Sequence, residues 1–307
     1  MKQVLLVRAG ALGDVLLLRP AVAALKKAGA RVWLMAPAHS GIALAGPGAS
    51  EVDGILPWDR ADVARMLGDP AGLSPALREE LGTFDLAIAY TRDPDLARSL
   101  KGAVAEVVAW DPTPPPGGVH AARWFAEPLA RLGLAVDLDP PPCLPSAEER
   151  EGAAALAARL PKQFVAVHPG SGSRSKNWPV ASFAALVDGL AAPRPWLLLE
   201  GPADEEAAAA LGRRPGAVVA RELPARRLGA LVSRSGLFVG NDSGLSHLAA
   251  AFGAPVVALF GPTDPALWRP LGARVRALRS ATGRMEDLGV EAVKAACLAL
   301  APQLPRD

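Results

Sequence analysis

The residues best suited to chemistry in this chain are Asn241, Asp242, Ser243 and Gly244, followed by Ser246 and His247. They lie between two apolar runs, Gly236 to Val239 and Pro255 to Phe260, that read as buried strands. A helix opening at Ser243 or Gly244 leaves its first backbone N–H groups unpaired. Those donors, with the positive end of the helix dipole, favour an anion and above all a phosphate. Asp242 either caps the helix or holds the hydroxyls of a ribose, Ser243 and Gly244 offer backbone donors, and His247 lies one turn on along the same face. A serine hydrolase is disfavoured, because the Gly-x-Ser-x-Gly elbow is missing.

A second constellation follows the apolar run Phe164 to Val167: His168-Pro-Gly170, Ser171, Arg174, and Lys176-Asn-Trp178. Ser171 and its neighbouring glycines and hydroxyls have the composition of a loop that wraps phosphate oxygens. Most of the 33 basic residues are Arg, so Lys176 stands out as a point charge able to offset a diphosphate. His168 reads as a satisfied histidine at a strand end. The Gly-Lys-Ser/Thr of an ATP-hydrolysing P-loop is absent.

A third constellation, Arg8 to Asp14, comes directly after the first apolar run. Gly10 and Gly13 permit a tight turn and close approach of a ligand, and Asp14 falls at or near the N-cap of the next helix. That aspartate either caps only or faces a ligand. The dinucleotide fingerprint Gly-x-Gly-x-x-Gly is missing, which argues against NAD. Glu200 and Asp204 end another strand and either bind a ribose or belong to a solvated loop. Two Asp-x-Asp pairs, Asp93 with Asp95 and Asp137 with Asp139, have a spacing that holds divalent ions in some enzymes. Asp93 more simply begins a helix and Asp139 lies in a linker, so the expected site holds no metal and no cofactor, with Lys176 and helix dipoles offsetting the phosphate charge.

The elements that must position these groups alternate between short apolar runs and Ala/Leu/Arg-rich helical stretches, the pattern of parallel α/β domains. Strands are expected at 3–7, 31–36, 52–57, 86–90 and 103–108, then at 164–168, 196–200, 217–220, 237–240 and 256–260. Helices are expected at 15–28, 61–67, 96–101 and 121–132, then at 180–191, 204–211, 224–233, 243–252 and 285–300. Three consecutive prolines, Pro140 to Pro142, favour extended geometry and mark a stiff linker between residues 1–145 and 146–307. The segment Pro112 to Gly118 reads as a surface loop or lid. Two such domains leave a cleft where ligands bind, and the last helix is expected to pack back on the first domain.

Length and composition agree: 307 residues suit two domains, and 50% hydrophobic residues suffice for two cores. A net charge of +2 is too near neutral for a dedicated nucleic-acid binder. The two cysteines, Cys143 and Cys297, are isolated, which suits a reducing compartment. No unbroken apolar leader opens the chain, and a cytoplasmic protein is expected, with peripheral contact at the inner face of the membrane allowed.

Together, Gly13-Asp14, His168-Pro-Gly170 with Lys176-Asn-Trp178, Asp242 to Ala250, and Phe260-Gly-Pro-Thr263 resemble glycosyltransferase family 9, the ADP-heptose:lipopolysaccharide heptosyltransferases. The resemblance spans the chain. It implies a GT-B fold: two Rossmann-like domains with parallel sheets facing across a cleft, acceptor on the first and nucleotide sugar on the second. It implies inverting, metal-independent transfer of a sugar such as heptose from a nucleotide diphosphate, ADP-linked in the family, to a lipopolysaccharide-type or other cell-envelope glycan. Asp14 would be the general base. Lys176, Ser243, Gly244 and His247 would hold the diphosphate with Asp242 close by, Ser171 and Glu200 would complete the donor site, and Arg8, Gly13, Arg92 and Arg123 are acceptor candidates. One departure stands out: the acidic residue that family members often carry two positions after the glycine matching Gly201 is Ala203 here, with Asp204 next. A nucleotide-sugar epimerase and a non-catalytic sugar-nucleotide binder remain as alternatives on the same architecture.

Overall fold

A computed structural model describes residues 2–69, 72–115, 117–191, 193–201 and 204–302. The chain divides into two compact units, Met1–Leu144 and Pro145–Asp307. The first contains strands β1 (Gln3–Arg8), β2 (Arg31–Ala36), β3 (Gly54–Pro57), β4 (Leu86–Tyr90) and β5 (Glu106–Trp110). They form one parallel sheet in the order β3-β2-β1-β4-β5. The second contains β6 (Val165–His168), β7 (Trp196–Glu200), β8 (Ala217–Arg221), β9 (Leu237–Asn241), β10 (Val256–Phe260) and β11 (Val275–Arg279), all parallel in the order β11-β10-β9-β6-β7-β8.

Central strands of such sheets are covered by helices on both faces, so they read as continuous apolar runs. β4, β9 and β10 are buried along their whole length, whereas the edge strands β5 and β11 are mostly half-buried or exposed. In the first unit Leu5, Val7, Leu77, Phe84 and Leu96 form part of one core. In the second, Trp178, Phe183, Trp196, Val239 and Val257 do the same.

Each sheet starts in its middle. The chain runs outward from β1 through β2 to β3, then returns to the other side with β4; likewise from β6 to β8, then back with β9. The strand order therefore reverses between β1 and β4 and between β6 and β9. Ligands of open α/β sheets bind at the carboxyl ends of the strands flanking such a reversal. Arg8 and Tyr90 end the first pair; His168 and Asn241 end the second.

Several elements differ from the sequence-based expectation. The helix foreseen over 15–28 is two, Leu12–Leu16 and Arg19–Lys27. Pro20 has no N–H and its ring crowds the carbonyl one turn back, so the first helix cannot run through it. Strand β11 and the helices Pro75–Leu81 and Ala147–Ala157 were not foreseen. The last of these starts just after the proline run. Ser146 Oγ accepts from the Glu149 amide (3.1 Å) and Glu149 Oε2 from the Ser146 amide (2.8 Å), a capping box. The prolines themselves are strapped to the first unit. Buried Arg19 donates to the Pro140 and Pro141 carbonyls, Ser50 Oγ donates to Pro141 (2.8 Å), and the Leu144 amide donates to Glu51 (3.0 Å). The final helix, expected from residue 285, runs over Val290–Leu300 and buries Val293, Ala296 and Cys297 in the core of the second unit. Between Pro112 and Gly118 no helix or strand occurs among the described residues; Pro116 lies outside them.

Candidate active site

At the β6/β9 reversal the sequence brings two loops together through one asparagine. Asn241, fully buried at the end of β9, donates from Nδ2 to the Pro169 carbonyl (2.7 Å), and its Oδ1 accepts from the Trp178 amide (3.0 Å). Trp178 is buried in turn, its indole N–H donating to the Leu288 carbonyl at 2.8 Å. This pins the loop that carries Lys176. Its ammonium reaches Asp242 Oδ2 at 2.8 Å, and Thr263 Oγ1 donates to the same oxygen at 2.7 Å. Lys176 retains 30% side-chain exposure while Asp242 has 8%.

The helix Gly244–Ala251 starts at this point with Ser243 as its N-cap. Its Gly244 and Leu245 N–H groups precede the first intrahelical bond, from the Ser246 amide to the Ser243 carbonyl (3.2 Å), and the Ser243 hydroxyl does not cap them. Instead Ser243 Oγ lies 3.2 Å from His168 Nδ1. His247, one turn in, is buried, and Ser246 Oγ is turned away to the Asn241 carbonyl (2.6 Å). A cation, a hydroxyl and an open helix start thus meet at one strand edge, a combination suited to a phosphate.

At the β1/β4 reversal of the first unit, Asp14 is the third residue of the helix Leu12–Leu16, close to the N-cap Ala11 as the sequence indicated. Its Oδ2 accepts from the Ala11 amide (3.1 Å) and its Oδ1 from Arg8 Nη2 (2.8 Å). Arg8 is 8% exposed, its guanidinium 5.0 Å over the Phe125 ring, and its Nε is buried with no partner. Asp14 keeps 27% side-chain exposure. Gly10 and Gly13 do not adopt a left-handed backbone. Gly10 is needed for space, since a Cβ there would stand 2.7 Å from the Asp14 Cβ.

The family model for glycosyltransferase family 9 (heptosyltransferase) matches residues 119–296. The chain belongs to glycosyltransferase family 9. Among curated relatives, lipopolysaccharide heptosyltransferase 3 of Escherichia coli is 32% identical over 120 residues, 37% of this chain and 35% of that one. Lipopolysaccharide heptosyltransferase 2 of Salmonella typhimurium (strain LT2) is 36% identical over 117 residues, 36% and 34% of the two chains. The aligned part thus spans about a third of the length of these relatives. Two solved structures are similar over nearly their whole length: a family 9 glycosyl transferase from Veillonella parvula (TM-score 0.81, 18% identity, 98% of this chain and 97% of that one) and an E. coli heptosyltransferase with ADP (TM-score 0.74, 21% identity, 97% and 100%). The fold is GT-B, with two Rossmann-like units.

Within this family member, other residues singled out from sequence are engaged elsewhere. Ser171 Oγ bonds inside its own loop, to Asn177 Oδ1 (2.6 Å) and the Ser173 carbonyl (2.7 Å). Glu200 is bound by Arg221 at 2.6 Å. Arg92 lies 3.0 Å from both carboxylate oxygens of Asp111, and Arg123 is exposed in the first turn of the helix Ala121–Arg131. Ala203 lies outside the described residues. Asp204, a ribose candidate, turns inward to His168 Nε2 at 2.8 Å. Among the described residues, no group of three or more His, Cys, Asp or Glu could hold a metal ion, and no helix is long and apolar enough to cross a membrane. Asp93 caps the helix Pro94–Lys101, and Asp137 accepts from the Asp139 amide at 2.9 Å.

Sequence reasoning named Asn241 and Thr263 without giving either a role, and it missed the partnership of His168 with Asp204. Asn241 was legible as an amide in a strand that must be buried, where every polar atom needs a partner.

Proposed function

We propose that this protein is an inverting glycosyltransferase that moves a sugar, heptose in the first instance, from a nucleotide diphosphate to a lipopolysaccharide-type glycan. The observation that carries the reading is the meeting of Lys176, Ser243 and the open start of the helix Gly244–Ala251 at the β6/β9 reversal. These groups bind the diphosphate and stabilise the negative charge that grows on it as the glycosidic bond breaks, through donors already in place. The ADP-linked donor and the glycan acceptor are taken from the heptosyltransferases the chain resembles. Asp14 takes the proton of the acceptor hydroxyl as its oxygen attacks the anomeric carbon opposite the departing diphosphate, which inverts that centre. Arg8, held over Phe125, fixes the Asp14 carboxylate. The first unit receives the acceptor and the second the donor. Transfer needs neither metal nor cofactor, and the protein works in the cytoplasm at the inner face of the membrane that carries its glycolipid acceptor.

The test is transfer by the purified chain from ADP-heptose to lipopolysaccharide lacking its heptoses, in EDTA, with anomeric configuration read by NMR. An inverted product formed in EDTA is expected. Retention, or release of an isomerised donor without any acceptor, would overturn the reading.

A further inference from the structure

A serine at a helix N-cap ordinarily turns its hydroxyl onto the second or third N–H of that helix. Ser243 does not; its hydroxyl faces His168, and His168 faces Asp204. All three are nearly inaccessible, with 9%, 4% and 5% of their surface exposed. Asp204 Oδ2 also accepts from the Gly201 amide at 3.2 Å. Two glycines leave room for its carboxylate: a Cβ at Gly170 would fall 1.6 Å from Asp204 Oδ1, and one at Gly201 2.9 Å from Oδ2. The chemistry assigned to the active site uses Ser243 but neither His168 nor Asp204.

Its role follows from the direction of its hydrogen bonds. A neutral imidazole has one N–H. Facing an ionised Asp204, that proton sits on Nε2, and Nδ1 must accept the Ser243 hydrogen. Ser243 would then offer only lone pairs to the helix start, where a phosphate offers only lone pairs too. An imidazolium donates from both nitrogens. Ser243 Oγ accepts from Nδ1–H, and its own hydrogen is released to point at a phosphate oxygen. Asp204 supports that state: burial opposes its ionisation, but the hydrogen bond and charge of His168 and the Gly201 amide outweigh it and hold the carboxyl below the usual range. The other charged groups at these strand ends are engaged, Lys176 with Asp242 and Glu200 with Arg221, and His247 lies one turn into the helix.

We propose that His168 and Asp204 are positioning residues that make Ser243 a hydrogen-bond donor to the diphosphate of the nucleotide sugar, the protonated His168 ring being the form that binds. The inference rests on the donor site described under Proposed function. It is tested on the full chain by calorimetry between pH 6 and 9.5 with ADP-ribose, UDP-glucose and GDP-mannose, whose diphosphates are esterified at both ends and do not titrate near neutrality. Wild type should bind about tenfold more weakly per pH unit on an alkaline limb, taking up close to one proton there, read from heats in buffers of different ionisation enthalpy. His168→Asn places a permanent N–H near the position of Nδ1. It should bind within about tenfold of wild type at neutral pH and lose the limb and the proton uptake. Asp204→Asn should move the limb to lower pH. A flat wild-type profile, or the same limb in His168→Asn, overturns the inference while leaving the donor site intact. Failure of every nucleotide diphosphate to bind overturns both. Should His168→Asn not fold, the ring nitrogens of the wild type decide. The chain has four histidines, so ¹⁵N spectra of the saturated complex resolve them. An imidazolium pattern at His168 supports the inference; a neutral His168 ring overturns it.

Discussion

The two units share a plan and diverge in charge at the same topological point. At the β6/β9 reversal the helix start is left open: Ser243 turns its hydroxyl to His168, and Lys176 adds a cation. At the β1/β4 reversal the helix supplies its own anion, since Asp14 accepts from the Ala11 amide and from Arg8. The first arrangement invites an external anion, and the second has already satisfied itself and leaves a carboxylate facing outward. Topology selects where a ligand site forms, whereas one side chain in the first turn selects its sign.

The contrast is sharpest at Asp14. Asp14→Asn keeps the bond to Ala11 and removes the proposed base, so transfer should fall by about 10²–10⁴-fold while ADP affinity, measured by calorimetry, stays unchanged. Equal losses in both would break the division between a basic and an anion-binding site. Lys176→Ala is the converse. Removing one charge-assisted partner of a phosphate should weaken ADP by about 10- to 100-fold. The unpaired Asp242, 8% exposed, adds a fall in Tm that Asp14→Asn should lack.

A matched pair of glycine substitutions sharpens the comparison. A Cβ at Gly10 would stand 2.7 Å from the Asp14 Cβ, which side-chain rotation does not move, so the partly exposed start of the helix Leu12–Leu16 must shift. A Cβ at Gly170 meets the carboxylate of buried Asp204, which has nowhere to go. Gly170→Ala should therefore cost stability, about 1–3 kcal/mol in urea unfolding. Gly10→Ala should lower kcat by displacing Asp14 and cost less stability, because the segment that must shift is partly exposed. Similar unfolding midpoints for the two would mean that the His168–Asp204 pair is less tightly enclosed than its distances indicate.

What the sequence disclosed follows from how local each signal is. The central strands are apolar throughout because both faces are covered, and β2, β4, β7 and β10 could be placed to the residue. β11, Val-Arg-Ala-Leu-Arg, is an edge strand whose arginines hide its apolar face. The helix Ala147–Ala157 was masked by the prolines before it, although Ser146 and Glu149 stand at capping-box spacing. Lys176, Asp242 and Ser243 were visible as motifs. The bond from His168 to Asp204, 36 residues on, joins the end of β6 to the N-cap of the helix after β7, and the adjacency of β6 and β7 brings them together. Side chains with local partners, such as Ser171 and Arg92, look the same in sequence whether they face a ligand or a neighbour.

Arg92 gives the smallest expected effect. Its partner Asp111 is held below the usual carboxylate range first by the Arg92 hydrogen bond and then by the Thr113 amide. A carboxyl depressed in the folded state adds stability above its unfolded value near ~3.9 and loses it as pH falls through the folded value. Arg92→Ala should thus lower stability only at neutral pH, with the difference fading below about pH 4. Because Arg92 and Asp111 are 67% and 40% exposed, solvent screens the pair, and the neutral-pH deficit should not exceed about 0.5 kcal/mol. A change in acceptor KM larger than that stability change, with ADP affinity constant, would place Arg92 at the acceptor and make the Asp111 pair its resting state.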